Sequence, residues 1–148
     1  MLTNEIITYY TAALKDELRP AMGCTEPIAI AYAAAMMTDV LGGEAEKISV
    51  GLSGNIIKNV KSVVVPNTGG LRGIAAAVCA GIIAGDAEKE LQVISEVTLE
   101  QQRQLRHFMD TVNCTIAPSV SSLVFDIDIT LLHGDDSARV RIVNHHTN

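Results

Sequence analysis

The sequence predicts an α+β fold, in which helices pack on a small, mostly antiparallel sheet and enclose a buried central helix rich in alanine and glycine. Three observations predict it. Helical periodicity runs up to residue 112, and an alternating pattern takes over beyond Asn113. Between them, residues 71–83 place small or aliphatic side chains on nearly every face, as in a helix buried all round. The resulting order of helices, a strand, more helices and a hairpin lacks the regular βαβα repeat of a doubly wound sheet. With 148 residues the chain fits a single domain, 1–148, large enough to bury a core.

The elements follow in order. Ile6, Ile7, Tyr10, Leu14 and Leu18 stand at helical spacing over residues 3–18, and Pro20 stops this amphipathic helix. Thr25 is placed to cap a second helix, with Glu26 and Pro27 suited to its first turn and an Ala-rich body over 28–41; Gly42 and Gly43 end it. Residues 47–52 alternate in part and carry β-branched side chains, which predicts a strand. Residues 56–60 fit about one helical turn, 62–65 look extended, and PNTGG at 66–70 is a turn. Asp86 and Thr98 are placed to cap helices over 87–97 and 99–112. Cys114 begins a strand. The alternation of Leu123, Phe125, Ile127, Ile129 and Leu131, a GDD turn, and Val140, Ile142 and Val143 then predict a hairpin whose second strand runs on to the final residues.

Composition narrows function. Hydrophobic residues make up 48% of the chain but aromatics only 3%, so the core must be built from Ala, Val, Ile, Leu and Met. The net charge of −6, with 11 basic residues scattered among 17 acidic ones, argues against nucleic acid as a partner. No apolar run reaches the ~20 residues of a membrane helix, and the N-terminus has no signal-like pattern, so a soluble, cytoplasmic protein is expected. Three cysteines and no CxxC pair argue against a disulfide framework and a self-contained zinc site.

Among residues that carry chemistry, Cys24 stands out. GCTEP sets a thiol just before a helix whose free amides and dipole favour an anion, which suits a thiolate ligand or nucleophile; the competing reading is an ordinary buried cysteine. Cys79 and Cys114 read as packing residues. The Ser53, Gly54, Asn55, Lys58, Asn59 cluster and the 66–70 loop each offer amides, hydroxyls or a cation to a carboxylate, although a turn followed by a solvated lysine also explains the first. PNTGG has the look of an anion loop but matches neither the P-loop nor the dinucleotide fingerprint. His145 and His146, if on a strand, point to opposite faces and do not share a metal. His107 and His133 read as surface residues.

Taken together, GCTEP at 23–27, SGNIIKN at 53–59, VVVPNTGG at 63–70 followed by the Ala-rich helix, and HTN at 146–148 resemble the L-cysteine desulfidase family. That family is related to the α-chain domain of iron-sulfur L-serine dehydratases. The resemblance runs through nearly the whole chain and keeps the motif order. It implies an oxygen-sensitive 4Fe-4S cluster held by three cysteines in place of pyridoxal phosphate, with one iron open as a Lewis acid. It also implies elimination of sulfide from L-cysteine, or water from L-serine, to give pyruvate and ammonia.

Carried over to this chain, the cluster ligand is Cys24 alone. The family's other two ligands lie in a C-terminal region absent here, so the cluster is expected in the complete enzyme and not in this chain by itself. Asn55, Asn67, Thr68, Gly69 and Asn148 are the expected substrate-binding positions, and Lys58 or His146 the base. The chain is then expected to be the N-terminal lobe of a longer or two-chain lyase, with a small amino acid as substrate and a C-terminal lobe or second chain as partner. The exposed docking face would also promote homo-oligomers. The alternative is a non-catalytic domain of the same fold that binds a small carboxylate metabolite.

Overall fold

The structure is a computed structural model that describes residues 3–147. Its elements are α1 (Asn4–Glu17), α2 (Thr25–Leu41), β1 (Lys47–Leu52), α3 (Gly54–Val60), α4 (Gly73–Ala84), a 3-10 helix (Ala87–Gln92), α5 (Leu99–Thr111), β2 (Asn113–Pro118), β3 (Asp126–His133) and β4 (Asp136–Val143). The fold is α+β, as the sequence predicts.

The sheet has the order β2-β1-β3-β4. β1 pairs antiparallel with β3, and β3 with β4 through the two-residue turn Gly134 and Asp135, where Gly134 supplies a positive φ of 56°. β2 joins the far edge parallel to β1, with Lys47 opposite Asn113. Alternation sorts the two faces. Ile48, Val50 and Leu52 of β1, Ile127, Ile129 and Leu131 of β3, and Ala138 and Ile142 of β4 are buried. The opposite face carries Asp128, Thr130 and Arg139, with Arg139 in a bidentate pair with Asp128.

α2 and α4 form the heart of the helical layer. Ile28, Ala29, Ile30, Ala31, Ala33 and Ala34 of α2 and Ala76 to Ala80 of α4 are wholly buried. The two helices touch backbone to backbone. A Cβ placed on Gly81 would lie 2.1 Å from the Ala31 carbonyl oxygen and 2.9 Å from Ala34 Cβ. This is how a chain with almost no aromatic residues closes its core: the helices approach until small side chains fill the gap.

Three local expectations are corrected. Thr25 does not cap α2; it is the first helical residue, and Cys24 holds the cap position. Residues 87–97 form a short 3-10 helix and turns in place of an α-helix. Glu90, at φ 46°, breaks the helical path, and the carbonyls of Ile94 and Ser95 are taken by the Asn67 side chain. β4 ends at Val143, and Asn144 turns the chain with φ 65°, so the histidines lie beyond the strand.

α1 forms where its pattern predicts, with the Thr3 hydroxyl accepting from the Ile6 amide at 3.3 Å. It buries none of its residues. No helix among the described residues is long and apolar enough to cross a membrane.

Candidate functional site

The N-terminus of α2 gathers residues from three distant stretches of the chain. The Cys24 thiol, exposed at the cap position, donates to Glu26 Oε2 at 3.1 Å. From α3, Asn59 Nδ2 donates to Glu26 Oε1 at 3.3 Å. His146 arrives from the segment after β4 and lines the same cleft as Thr25, the first residue of α2. Its ring packs edge-on against Phe125, with centroids 4.6 Å apart. Asn55 lies one turn before Asn59 and so shares its face of α3, and the exposed Lys58 is Asn59's neighbour.

The electrostatics run against the simple helix-dipole expectation for Cys24. Partial burial, and then the Glu26 carboxylate, push the thiol above its ordinary range, so Cys24 is a proton donor here. Glu26 is held below the usual carboxylate range by the Cys24 thiol; burial opposes this, while its own amide, the Asn59 amide and the His146 charge add to it. Cys79 is wholly buried in α4, and burial pushes it up to about 12. Burial likewise raises the half-buried Cys114 on β2. Iodoacetamide is therefore expected to label Cys24 first, with a rate that rises above the ordinary thiol range. Glu26→Gln should move that pH profile downward. Peptide mass spectrometry checks both, and Cys79 or Cys114 reacting first would contradict the assignment.

The PNTGG loop is anchored elsewhere. Asn67, at φ 59°, donates to the carbonyls of Ile94 and Ser95 at 3.0 and 3.3 Å. The buried Thr68 hydroxyl donates to the Val65 carbonyl at 2.7 Å and accepts from the Leu71 amide at 3.1 Å. Arg106 of α5 donates to the Gly69 carbonyl at 2.7 Å. The Asn67 and Thr68 side chains thus hold the loop's shape, and Gln102 of α5 donates to the Asn67 carbonyl at 2.9 Å. Its first residue borders the cysteine turn, since a Cβ on Gly23 would sit 3.4 Å from Pro66 Cγ. Asn148 lies outside the described residues.

A cleft of about 410 Å³ adjoins the cluster, bounded by Asp16, Glu17 and Arg19 at the end of α1 and by Thr25, His145 and His146. Its lining offers carboxylates, a guanidinium and imidazoles. A 4Fe-4S cluster with three cysteine ligands does not fit the residues of this chain by themselves. Cys24 is one exposed sulfur donor, Cys79 is sealed in the core, and no three His, Cys, Asp or Glu residues gather to hold a metal among the described residues.

Sequence reading missed Glu26, which it treated only as an acid suited to a helix start. The one signal for it was its place two residues after the cysteine in GCTEP.

Comparison with known proteins agrees in one direction. The chain is 50% identical over 138 residues, 93% of its length, to a UPF0597 protein of Desulfitobacterium hafniense, and covers 32% of that protein. It is 47% identical over 142 residues to a UPF0597 protein of Finegoldia magna, covering 34% of it. It is 39% identical over 144 residues to a UPF0597 protein of Shewanella putrefaciens, covering 34%. No family model matches the chain. These relatives' names refer to neither a cysteine desulfidase nor a serine dehydratase. The chain is thus similar over nearly its whole length to UPF0597 proteins, and it spans about a third of the length of the curated relatives it matches.

Proposed function

We propose that the chain is one lobe of a pyridoxal-phosphate-independent iron-sulfur lyase that removes sulfide from L-cysteine, or water from L-serine, to give pyruvate and ammonia. The observation that carries this reading is the convergence of Cys24, Glu26, Asn59 and His146, from three separated motifs, on the start of α2. In the complete protein Cys24 is one of the sulfur ligands, and the rest of the polypeptide or a second chain supplies the others. The cluster, when held, supplies Lewis acidity.

The remaining roles belong to this chain's own groups. The α2 N-terminus and the backbone of the 66–70 loop receive the substrate carboxylate. Asn55, on the face of α3 that carries Asn59, orients the substrate, and His146, fixed against Phe125, or Lys58 takes the α-proton.

The test is to replace the matched 138 residues of the Desulfitobacterium hafniense relative by this chain and reconstitute the protein anaerobically with iron and sulfide. Visible absorption of a cluster and pyruvate release from L-cysteine or L-serine are expected. Cys24→Ser should reduce turnover by about 100-fold or more, since it removes a group without substitute. Pyruvate formed equally well by Cys24→Ser would overturn the reading. So would calorimetric binding of L-cysteine by the folded, iron-treated protein with neither absorption nor pyruvate, which is the behaviour of a sensor of small carboxylates.

A further inference from the structure

α1 has a defined apolar face and nothing on it. Ile6, Ile7, Tyr10 and Leu14 form one stripe about 100° wide, 40%, 48%, 59% and 56% exposed respectively. Every residue from Thr3 to Ala21 is exposed. A helix of 14 residues without a packing partner is marginal in water. The stripe is therefore built to be covered.

Two observations identify the cover. The chain spans about a third of its curated relatives, so a large body of polypeptide in those proteins has no counterpart here. In addition, the end of α1 forms one wall of the cleft that Thr25 and His146 line, through Asp16, Glu17 and Arg19. Glu17, one turn beyond Leu14, continues the face of the stripe and lines that cleft. A second copy of the chain fits less well. A helix roughly 21 Å long and 10 Å wide, paired with itself, buries about 400 Å² over both copies, against the ~1,200–2,000 Å² of a stable interface.

We propose that the apolar face of α1 is the docking surface for the rest of a longer polypeptide, which by sitting there covers the cleft at the start of α2. This rests on the reading of the chain as one lobe of such a protein, but not on the lyase chemistry.

The experiment compares amide hydrogen exchange in the free chain with exchange in the Desulfitobacterium hafniense relative carrying this chain in place of its matched residues. In the free chain α1 should exchange quickly while α4 is protected. In the longer protein α1 should slow by on the order of 100-fold with α4 unchanged. Leu14→Ser should leave the free chain's melting as it is and restore fast exchange of α1 in the longer protein. A photo-crosslinker at Tyr10 should attach within the same polypeptide, outside residues 1–148. Fast α1 exchange in a longer protein whose α4 is protected overturns the proposal, and so does a crosslink between two copies. If the longer protein does not fold, the free chain decides: a concentration-dependent dimer in sedimentation that Leu14→Ser abolishes overturns it, and a monomer at high concentration supports it. Protection of α1 without pyruvate release would leave docking standing while the lyase reading falls; pyruvate with α1 unprotected would do the reverse.

Discussion

Gly81→Ala is expected to lower stability by about 3 kcal/mol, at the upper end of the range for overpacking a core, and the melting temperature by about 10 °C. The new methyl would lie 2.1 Å from the Ala31 carbonyl oxygen and 2.8 Å from its carbon. Those atoms belong to the backbone of a buried helix, so no rotamer change relieves the clash; α2 and α4 must separate as bodies. Doing so opens gaps beside Ala76, Ala77 and Ala80, all wholly buried, where side chains are too small to fill them. Pairing the change with Ala34→Gly removes the contact at 2.9 Å but not the one with the carbonyl, so little rescue is expected. Thermal denaturation followed by far-ultraviolet circular dichroism checks this. A double variant as stable as the parent would show that side chains, not backbone, set the approach.

Asp126→Asn is expected to cost about 2–3 kcal/mol near neutrality, below the 3–5 kcal/mol of a fully buried broken pair because Arg141 reaches solvent. Asp126 is wholly buried, whereas the Arg141 side chain is 44% exposed. The carboxylate accepts from Arg141 Nε at 2.9 Å and Nη2 at 3.0 Å, and from the hydroxyls of Ser119 and Ser121 at 2.5 Å each. The two hydroxyls fix the 119–125 segment to the start of β3, and the guanidinium ties that start to β4. Asparagine would turn an amide donor toward one or more of them.

The Arg141 guanidinium, with both hydroxyls, holds Asp126 well below the usual carboxylate range despite burial. A carboxylate depressed in the folded state adds stability that is complete above the unfolded value, about 4, and is lost as pH falls below it. The stability gap between parent and Asp126→Asn should therefore be widest above pH ~5 and shrink steadily toward pH ~2. Urea titrations across that range test the sign. A gap that does not change with pH would assign the loss to shape, not charge.

The two variants mark what could and could not be read in advance. Gly81 stands in a run whose small residues on every face announce a buried helix, and α4 is that helix. The cysteine at the start of α2 was legible because a thiol before a helix is a chemical pattern in one stretch of sequence. Asp126 was not, because its partners are two loop serines and an arginine on the next strand, and no periodicity links them. Glu26 was hidden for the same reason: its meaning depends on Asn59 and His146, brought to it by the fold. The parallel placement of β2 beside β1 likewise depends on how α4 and α5 pack between them, which no window of residues contains.

One feature of α1 changes how this chain will be observed. It has no tryptophan and three tyrosines. Tyr9 and Tyr10 stand on α1, 72% and 59% exposed, in edge-to-face contact at 5.9 Å, while Tyr32 is half-buried in α2. Ultraviolet emission from this chain therefore comes mainly from a helix outside the core. A tyrosine signal that shifts while helical ellipticity stays level marks an event at α1. Ellipticity that collapses while most of the emission is unmoved marks loss of the packed alanine layer, so the two optical channels separate docking from unfolding without any label.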